Sequence, residues 1–245
     1  MLKIKMNENP VLLSFWLVLR RKSKKMVPVS ISHDLKMLVP ELTLSCIECD
    51  VLVQENTDAL WTQIKGKTDE IAASLKVEAI CRIPEIAASR QAYKVCGKDP
   101  ARYRLSAEAL LRRVVQGKGL YRINNVVDLL NLVSVSSGFS IGGYDAGKIS
   151  GSAVFGIGKK DEPYEGIGRG VLNIESLPVF RDEKGAFGTP TSDSVRTSVT
   201  KETGRFLMVI IDYGSSEKLE EATTLAVSLL RKYANAGNIE LKIIQ

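Results

Sequence analysis

Residues 124–151 read NNVVDLLNLVSVSSGFSIGGYDAGKISG. Val126, Val127, Leu129, Leu130, Leu132 and Val133 leave a helix apolar on nearly every side, so this helix is expected in the interior. Asn124 or Asn125 supplies its start, and Gly138 its stop. Asp128 and Asn131 lie at i and i+3 and therefore share one face. A buried carboxylate requires partners. Two readings stand side by side. The pair hydrogen-bonds the adjacent GGYDAGKISG turn and fixes how the chain re-enters the sheet, or it shapes a substrate pocket beside Gly142 and Gly143. Those glycines permit close backbone approach by a ligand or by another chain segment.

Working outward, LTLSCIECDVLV alternates as a strand does, and TDALWTQIKGKTDEIAASLK is helical with Thr57 at its start. VEAICRIPEIAASRQAYKVCG reads as another helix stopped by Gly97. DPARYRL is a link, after which Ser106 is expected to cap AEALLRRVVQ, with Gly117 at the far end. Beyond residue 139 come short strands punctuated by Gly, Pro and Asp. A long amphipathic helix, SSEKLEEATTLAVSLLRKYAN, follows with Ser215 or Ser216 as cap, and the strand IELKII comes last. No internal repeat is visible.

The chain has 245 residues, 44% hydrophobic and 25% charged, enough for one large folded domain or two small ones. Its formal charge of +6 is concentrated in residues 1–25, and the remainder is formally neutral. Residues 1–29 are expected to be a basic and apolar leader outside the domain, with Met26 as an alternative start, and 30–245 the domain proper. VLLSFWLVL within the leader is much shorter than the roughly 20 residues of a membrane span. RRKSKK follows where a signal-peptide cleavage site would need small residues. A basic element lying on a membrane surface is the lesser alternative.

Cys46, Cys49, Cys81 and Cys96 contain a single Cys-x-x-Cys, in a strand-like run and without a second pair at zinc-site spacing. Buried reduced thiols in a cytoplasmic protein are expected, with no metal and no other cofactor.

The succession DPARYRLSAEALLRRVVQGKGLYRINNVVDLLNLVSVSSGFSIGGYDAGKISG, then DEPYEGIGRGVL and GTPTSDSVRTSVTKET, resembles the free-standing relatives of the B3/B4 domain of the phenylalanyl-tRNA synthetase beta subunit. The similarity spans residues 30–245, and VVDLLNLVSVSSGFSIGGYD is its most specific piece. The resemblance implies an α/β (α+β) fold, layered β/β/α with mixed sheets. In the synthetase this domain hydrolyses tyrosine mischarged onto phenylalanine tRNA. The present chain departs from that editing site at two places: Gly142 stands where the family usually has His, and Gly168 or Arg169 where it has Glu. His33 is the only histidine.

TPTSDSVRT matches the family segment lining the editing pocket. Thr191, Asp193 and Thr197 are the catalytic candidates, through water positioned by hydroxyls and main-chain groups. Asp128, Asn131, Gly142, Gly143, Tyr144, Asp145, Ser192, Ser194 and Arg196 are the substrate-binding candidates. By charge, Asp193 suits an α-ammonium and Arg196 a phosphate or carboxylate. The alternative is a Ser/Thr/Asp-rich turn that caps its own backbone. Between Arg90 and Arg122 nine basic residues face only Asp99 and Glu108, with Tyr93, Tyr103 and Tyr121 interleaved. Such a segment suits phosphates and unpaired bases, with Arg102, Arg104, Arg112, Arg113, Lys118 and Arg122 as the tRNA-binding set. Adjacent Arg112 and Arg113 diverge by about 100° on a helix and need not form one patch. The alternative is a solvated helix face.

No Walker loop, dinucleotide fingerprint or Gly-x-Ser-x-Gly elbow is present, and GIGRG is a weak imitation. The expected function is binding of tRNA or aminoacyl-tRNA, with deacylation of mischarged product in trans as the enzymatic form; no DNA partner and no membrane span are expected. The alternative is a non-catalytic amino-acid or small-molecule binding module that kept the pocket.

Overall fold

The computed structural model describes residues 25–245 except 215 and 216. In chain order the elements are β1 (Val29–Ile31), α1 (His33–Leu38), β2 (Thr43–Asp50), α2 (Asp58–Ser74), a 3-10 turn (Val77–Arg82), α3 (Pro84–Val95), α4 (Ser106–Val115), α5 (Asn125–Ser137), β3 (Ser140–Asp145), β4 (Ala153–Ile157), β5 (Glu165–Gly166), β6 (Gly170–Val171), β7 (Pro178–Asp182), β8 (Gly185–Gly188), β9 (Arg205–Asp212), α6 (Leu219–Tyr233) and β10 (Gly237–Ile244).

Two four-stranded sheets run β1-β4-β7-β8 and β10-β2-β9-β3. The first is mixed, because β1 is parallel to β4 while the other pairs are antiparallel. The second is wholly antiparallel. Its central strand β9, RFLMVIID, is apolar on both faces, as a strand covered on both sides must be. Leu207, Val209 and Ile211 meet Phe155, Phe180 and Phe187 of the first sheet. Phe206, Met208 and Ile210 point the other way, into a core shared with Leu129 and Val133 of α5 and Ala226 and Leu230 of α6. The layers are therefore sheet, sheet and helices, the β/β/α order expected.

Strand pleating also explains the Cys-x-x-Cys. An odd separation of three places Cys46 in the inter-sheet core and Cys49 in the helix-side core. Burial pushes both thiols up to about 12.

Local starts and stops follow side-chain chemistry. Thr57 Oγ1 accepts from the Leu60 amide, Asn124 Oδ1 accepts from the Val127 amide, and Gly138 ends α5 at φ 86°. Two expectations need correction. The single helix at 77–97 is broken at Ile83, where the residue before Pro84 leaves the helical region at ψ 127°. Ser106 is the first residue of α4 rather than its cap; Leu105 holds the cap position without a side-chain bond, and the Ser106 amide donates to the Pro190 carbonyl at 2.7 Å.

Packing begins earlier than residue 30. Met26 and Val27 are buried between the sheets, and the Val27 amide donates to Glu48 Oε2 at 2.8 Å. The leader at 1–24 and the caps Ser215 and Ser216 lie outside the described residues. Among the described residues no helix is long and apolar enough to cross a membrane.

Candidate functional site

Glu108 in the first turn of α4 organises the basic segment from inside. Its carboxylate is buried and takes Arg90 Nη1 at 2.8 Å and Arg112 Nε at 2.9 Å, with Arg104 Nε at 3.9 Å. Three arginines on one buried acid leave a local surplus of positive charge. Around it opens a cleft of about 460 Å³ between α4, the turn after it, α5 and two loops. Arg104, Arg112, Arg113, Lys118 and Arg169 line it together with Tyr121, Asn131 and Thr191, and the lining contains no carboxylate.

Thus α4 presents both Arg112 and Arg113 to one cleft despite their divergence. Arg113 lies over the Tyr121 ring at 3.8 Å, a cation–π pair, and the Tyr121 side chain is exposed. Arg113 Nε is buried without a hydrogen-bond partner. Arg169 is an addition that the sequence did not single out as a ligand. It sits at the tip of the β5–β6 hairpin, where Gly168 and Gly170 take φ 67°. The Ile167 amide donates to the Asp193 carbonyl at 2.9 Å, and Gly166 bridges to Ser194, so the hairpin is hooked onto the hydroxyl loop. The only sequence signal was one cation among the glycines of GIGRG.

The rest of the basic segment disperses. Arg122 donates to the Asn56 carbonyl at 3.2 Å and lies over the Trp61 ring at 5.5 Å. Lys98 and Arg102 both lie near the Tyr103 ring, at 4.2 Å and 5.7 Å. Arg102 and Arg122 do not line the cleft.

The hydroxyl loop divides between cleft wall and interior. Thr191 lines the cleft, and its hydroxyl lies 2.9 Å from that of buried Tyr93. The Ser192 carbonyl accepts from Tyr164 at 2.6 Å and from Thr189 at 2.9 Å, bonds that hold the turn. Thr197 is fully buried and donates to the Phe187 carbonyl at 3.3 Å. Ser194 Oγ accepts from the Arg196 amide. Arg196 is committed to Asp182, at 3.0 and 2.8 Å, and to the Gly185 carbonyl at 3.0 Å. Its guanidinium holds the Asp182 carboxyl below the usual carboxylate range despite burial. The phosphate or carboxylate role expected of Arg196 from its charge is therefore taken by Asp182.

Asp193 also points inward. Its Oδ2 accepts from the Gly143 amide at 3.2 Å, and Oδ1 has no hydrogen-bond partner. Burial raises the group to about 7, partly offset by the Gly143 amide and the nearby Tyr144 phenol. Tyr144 Oη, like Asp193 Oδ1, is buried without a hydrogen-bond partner. A carboxyl so placed does not face the cleft, and the α-ammonium role expected of it has no access there.

Asp128 and Asn131 part company despite sharing a face. Asp128 accepts from the Ile123 amide at 3.1 Å and from the Asn56 side chain, and burial pushes it up to about 6. It secures the start of α5 and makes no bond to the GGYDAGKISG turn, contrary to the first of the two expectations. Asn131, just under one turn further along α5, reaches the cleft.

Gly142 and Gly143 serve chain packing. A Cβ on Gly142 would lie 2.1 Å from Tyr144 Oη, and one on Gly143 2.5 Å from Leu130 Cδ1. Tyr144 is buried edge-on to Phe187 at 5.0 Å. Asp145 accepts from the Gly147 amide at 2.9 Å and from Thr203 at 2.8 Å, closing the turn after β3. Thus the glycine, tyrosine and aspartate positions expected to bind substrate form an internal support instead of lining the cleft.

A larger groove of about 830 Å³ lies elsewhere, beside β1 and β2. Glu48, Asp50, Asp145, Glu202 and Glu240 outnumber Lys25 and Arg205 along it, a charge balance unsuited to a polyanion.

The B3/4 domain family model matches residues 88–235. The similar solved structures include a crystal structure of an N-terminal fragment of the phenylalanyl-tRNA synthetase beta subunit from Pyrococcus horikoshii, at 14% identity and a TM-score of 0.45. The alignment covers 90% of this chain and 51% of that one, so the chain spans about half the length of the fragment. No curated protein matches the chain. With more than half its length matched, from the middle of α3 to the end of α6, the chain belongs to the B3/4 domain family.

Proposed function

We propose that the basic cleft binds the acceptor end of tRNA or of an aminoacyl-tRNA. The observation that carries this reading is the lining: Arg104, Arg112, Arg113, Lys118 and Arg169 converge on one cavity with no opposing carboxylate. Phosphate oxygens supply the missing negative charge. The Arg113–Tyr121 stack, with Tyr121 exposed, offers a platform for an unpaired base.

A free amino acid fits less well. Its ammonium needs acceptors, and Asp193, the acid expected to serve, bonds to Gly143 inside the fold, as Asp128 does to Ile123. The polyanion therefore takes precedence over the small-molecule alternative.

Hydrolysis of a mischarged ester in trans is the finer form of the proposal. The cleft lining has no His, Asp or Glu to act as a general base. Any rate enhancement rests on a water positioned by the Thr191 hydroxyl and the Asn131 amide, with an adjacent ribose hydroxyl assisting.

The test is a panel of correctly and incorrectly charged tRNAs, assayed for binding and deacylation with the full chain and with Arg113→Glu, Lys118→Glu and Asn131→Ala. Binding weakened by both charge reversals, with a shallower salt dependence, supports the site. Deacylation of one panel member, lost in Asn131→Ala, adds catalysis. Binding indifferent to both reversals contradicts the proposal.

A further inference from the structure

Among the described residues, β10 pairs on its β2 side only and forms an edge of the helix-covered sheet. It is eight residues long, lacks proline, and has exposed Leu241 and Ile243 at 46% and 47%. An open edge of this kind presents unpaired backbone groups and templates further strand addition.

Register fixes which face is sticky. Leu241 stands opposite Ile47 and Ile243 opposite Ser45. Ile47 belongs to the helix-side core, and Ser45 bonds Thr223 of α6 at 2.8 Å. Leu241 and Ile243 therefore project on the α6 side, beside a shallow groove lined by Thr223, Val227, Arg231 and Leu241. Glu240 and Lys242, opposite Glu48 and Cys46, project on the other face and are exposed.

We infer that β10 pairs antiparallel with β10 of a second copy of this chain, joining the two helix-covered sheets into one eight-stranded sheet. A twofold axis perpendicular to the sheet must pass through a residue, so that paired side chains share a face. Centred on Glu240 it opposes two glutamates, and centred on Lys242 two lysines, both destabilising. Centred on Leu241 it sets Glu240 against Lys242 twice, Leu241 against Leu241, and Ile239 against Ile243 twice. Of the three registers that oppose charged residues, only that one makes every charged pair attractive, and it covers both exposed aliphatics, with the partner's leucine and isoleucines on the α6 side.

The test is sedimentation equilibrium on the full chain and on charge-swapped variants. Wild type forms a dimer. Glu240→Lys or Lys242→Glu alone turns both ion pairs into like-charge contacts and raises the dimer Kd by roughly 30-fold, which is about 2 kcal/mol. The double variant Glu240→Lys/Lys242→Glu restores the pairing and the wild-type Kd. All three variants are expected to keep the wild-type circular dichroism spectrum, since both side chains are exposed. A monomeric wild type overturns the inference, as does a dimer insensitive to the single reversals or not restored by the double one.

Discussion

The hydroxyls of Tyr93 and Thr191 lie 2.9 Å apart, and both side chains are buried. The contact ties α3 to the loop forming one wall of the basic cleft. Burial raises the Tyr93 phenol above its ordinary range, which keeps it a neutral hydrogen-bonding group. Thr191→Val leaves that hydroxyl without a partner and is expected to cost about 1–3 kcal/mol in urea unfolding. Adding Tyr93→Phe should recover most of the loss. Additive losses in the double-mutant cycle would show that the two groups do not act on each other.

Asp193 gives the fold a pH dependence of definite sign. Its folded value of about 7 exceeds the unfolded value of about 3.9, so the folded state holds the extra proton between them. The stability contributed by this group is then fullest below about pH 4 and is lost as pH rises through about 7. Asp128, raised to about 6, acts in the same direction over a narrower window. Asp193→Asn removes the larger contribution. Relative to wild type, it should gain about 2–3 kcal/mol between about pH 5 and about pH 8. Equal pH slopes in the two proteins would show that Asp193 does not titrate in this range.

Gly142 is required by the phenol of Tyr144. Gly142→Ala would place a methyl 2.1 Å from Tyr144 Oη and 2.5 Å from Cζ. The expected loss is about 2–3 kcal/mol, with partial recovery on Tyr144→Phe, because the ring remains close after the hydroxyl has gone. Thermal unfolding of the two variants checks both steps.

Glu108 predicts a non-additive pair of substitutions. With Arg90 and Arg112 both bound to it, removing either leaves one counter-charge in place and should cost about 1–2 kcal/mol. Removing both leaves a buried carboxylate with only Arg104 nearby, and the loss should reach about 3–5 kcal/mol. Denaturant midpoints of Arg90→Ala, Arg112→Ala and the double variant decide this.

The framework was legible where backbone demands were local. Asn124, Thr57 and Gly138 mark helix ends because one side chain or one φ angle settles each. The apolar encirclement of α5 correctly placed it in the interior. Site composition was harder to read, because a charged residue in sequence does not disclose its partner. Arg196 and Asp182 are 14 residues apart, and Asp193 and Gly143 are 50 apart, so only the folded chain shows that each bonds within the protein. Arg112, Asn131, Arg169 and Thr191 come from four separate elements, and tertiary packing alone brings them to one cleft. Pro84 did carry a visible break signal, which the apolar run on either side of it obscured.

The most direct test of the cleft assignment compares binding of intact tRNA with tRNA lacking its single-stranded 3′ end, using wild type and the Arg113→Glu/Lys118→Glu variant. If the cleft holds that end, truncation weakens binding to wild type by about tenfold or more, and has little further effect on the variant. If truncation weakens both proteins equally, or neither, the acceptor end does not occupy this cleft.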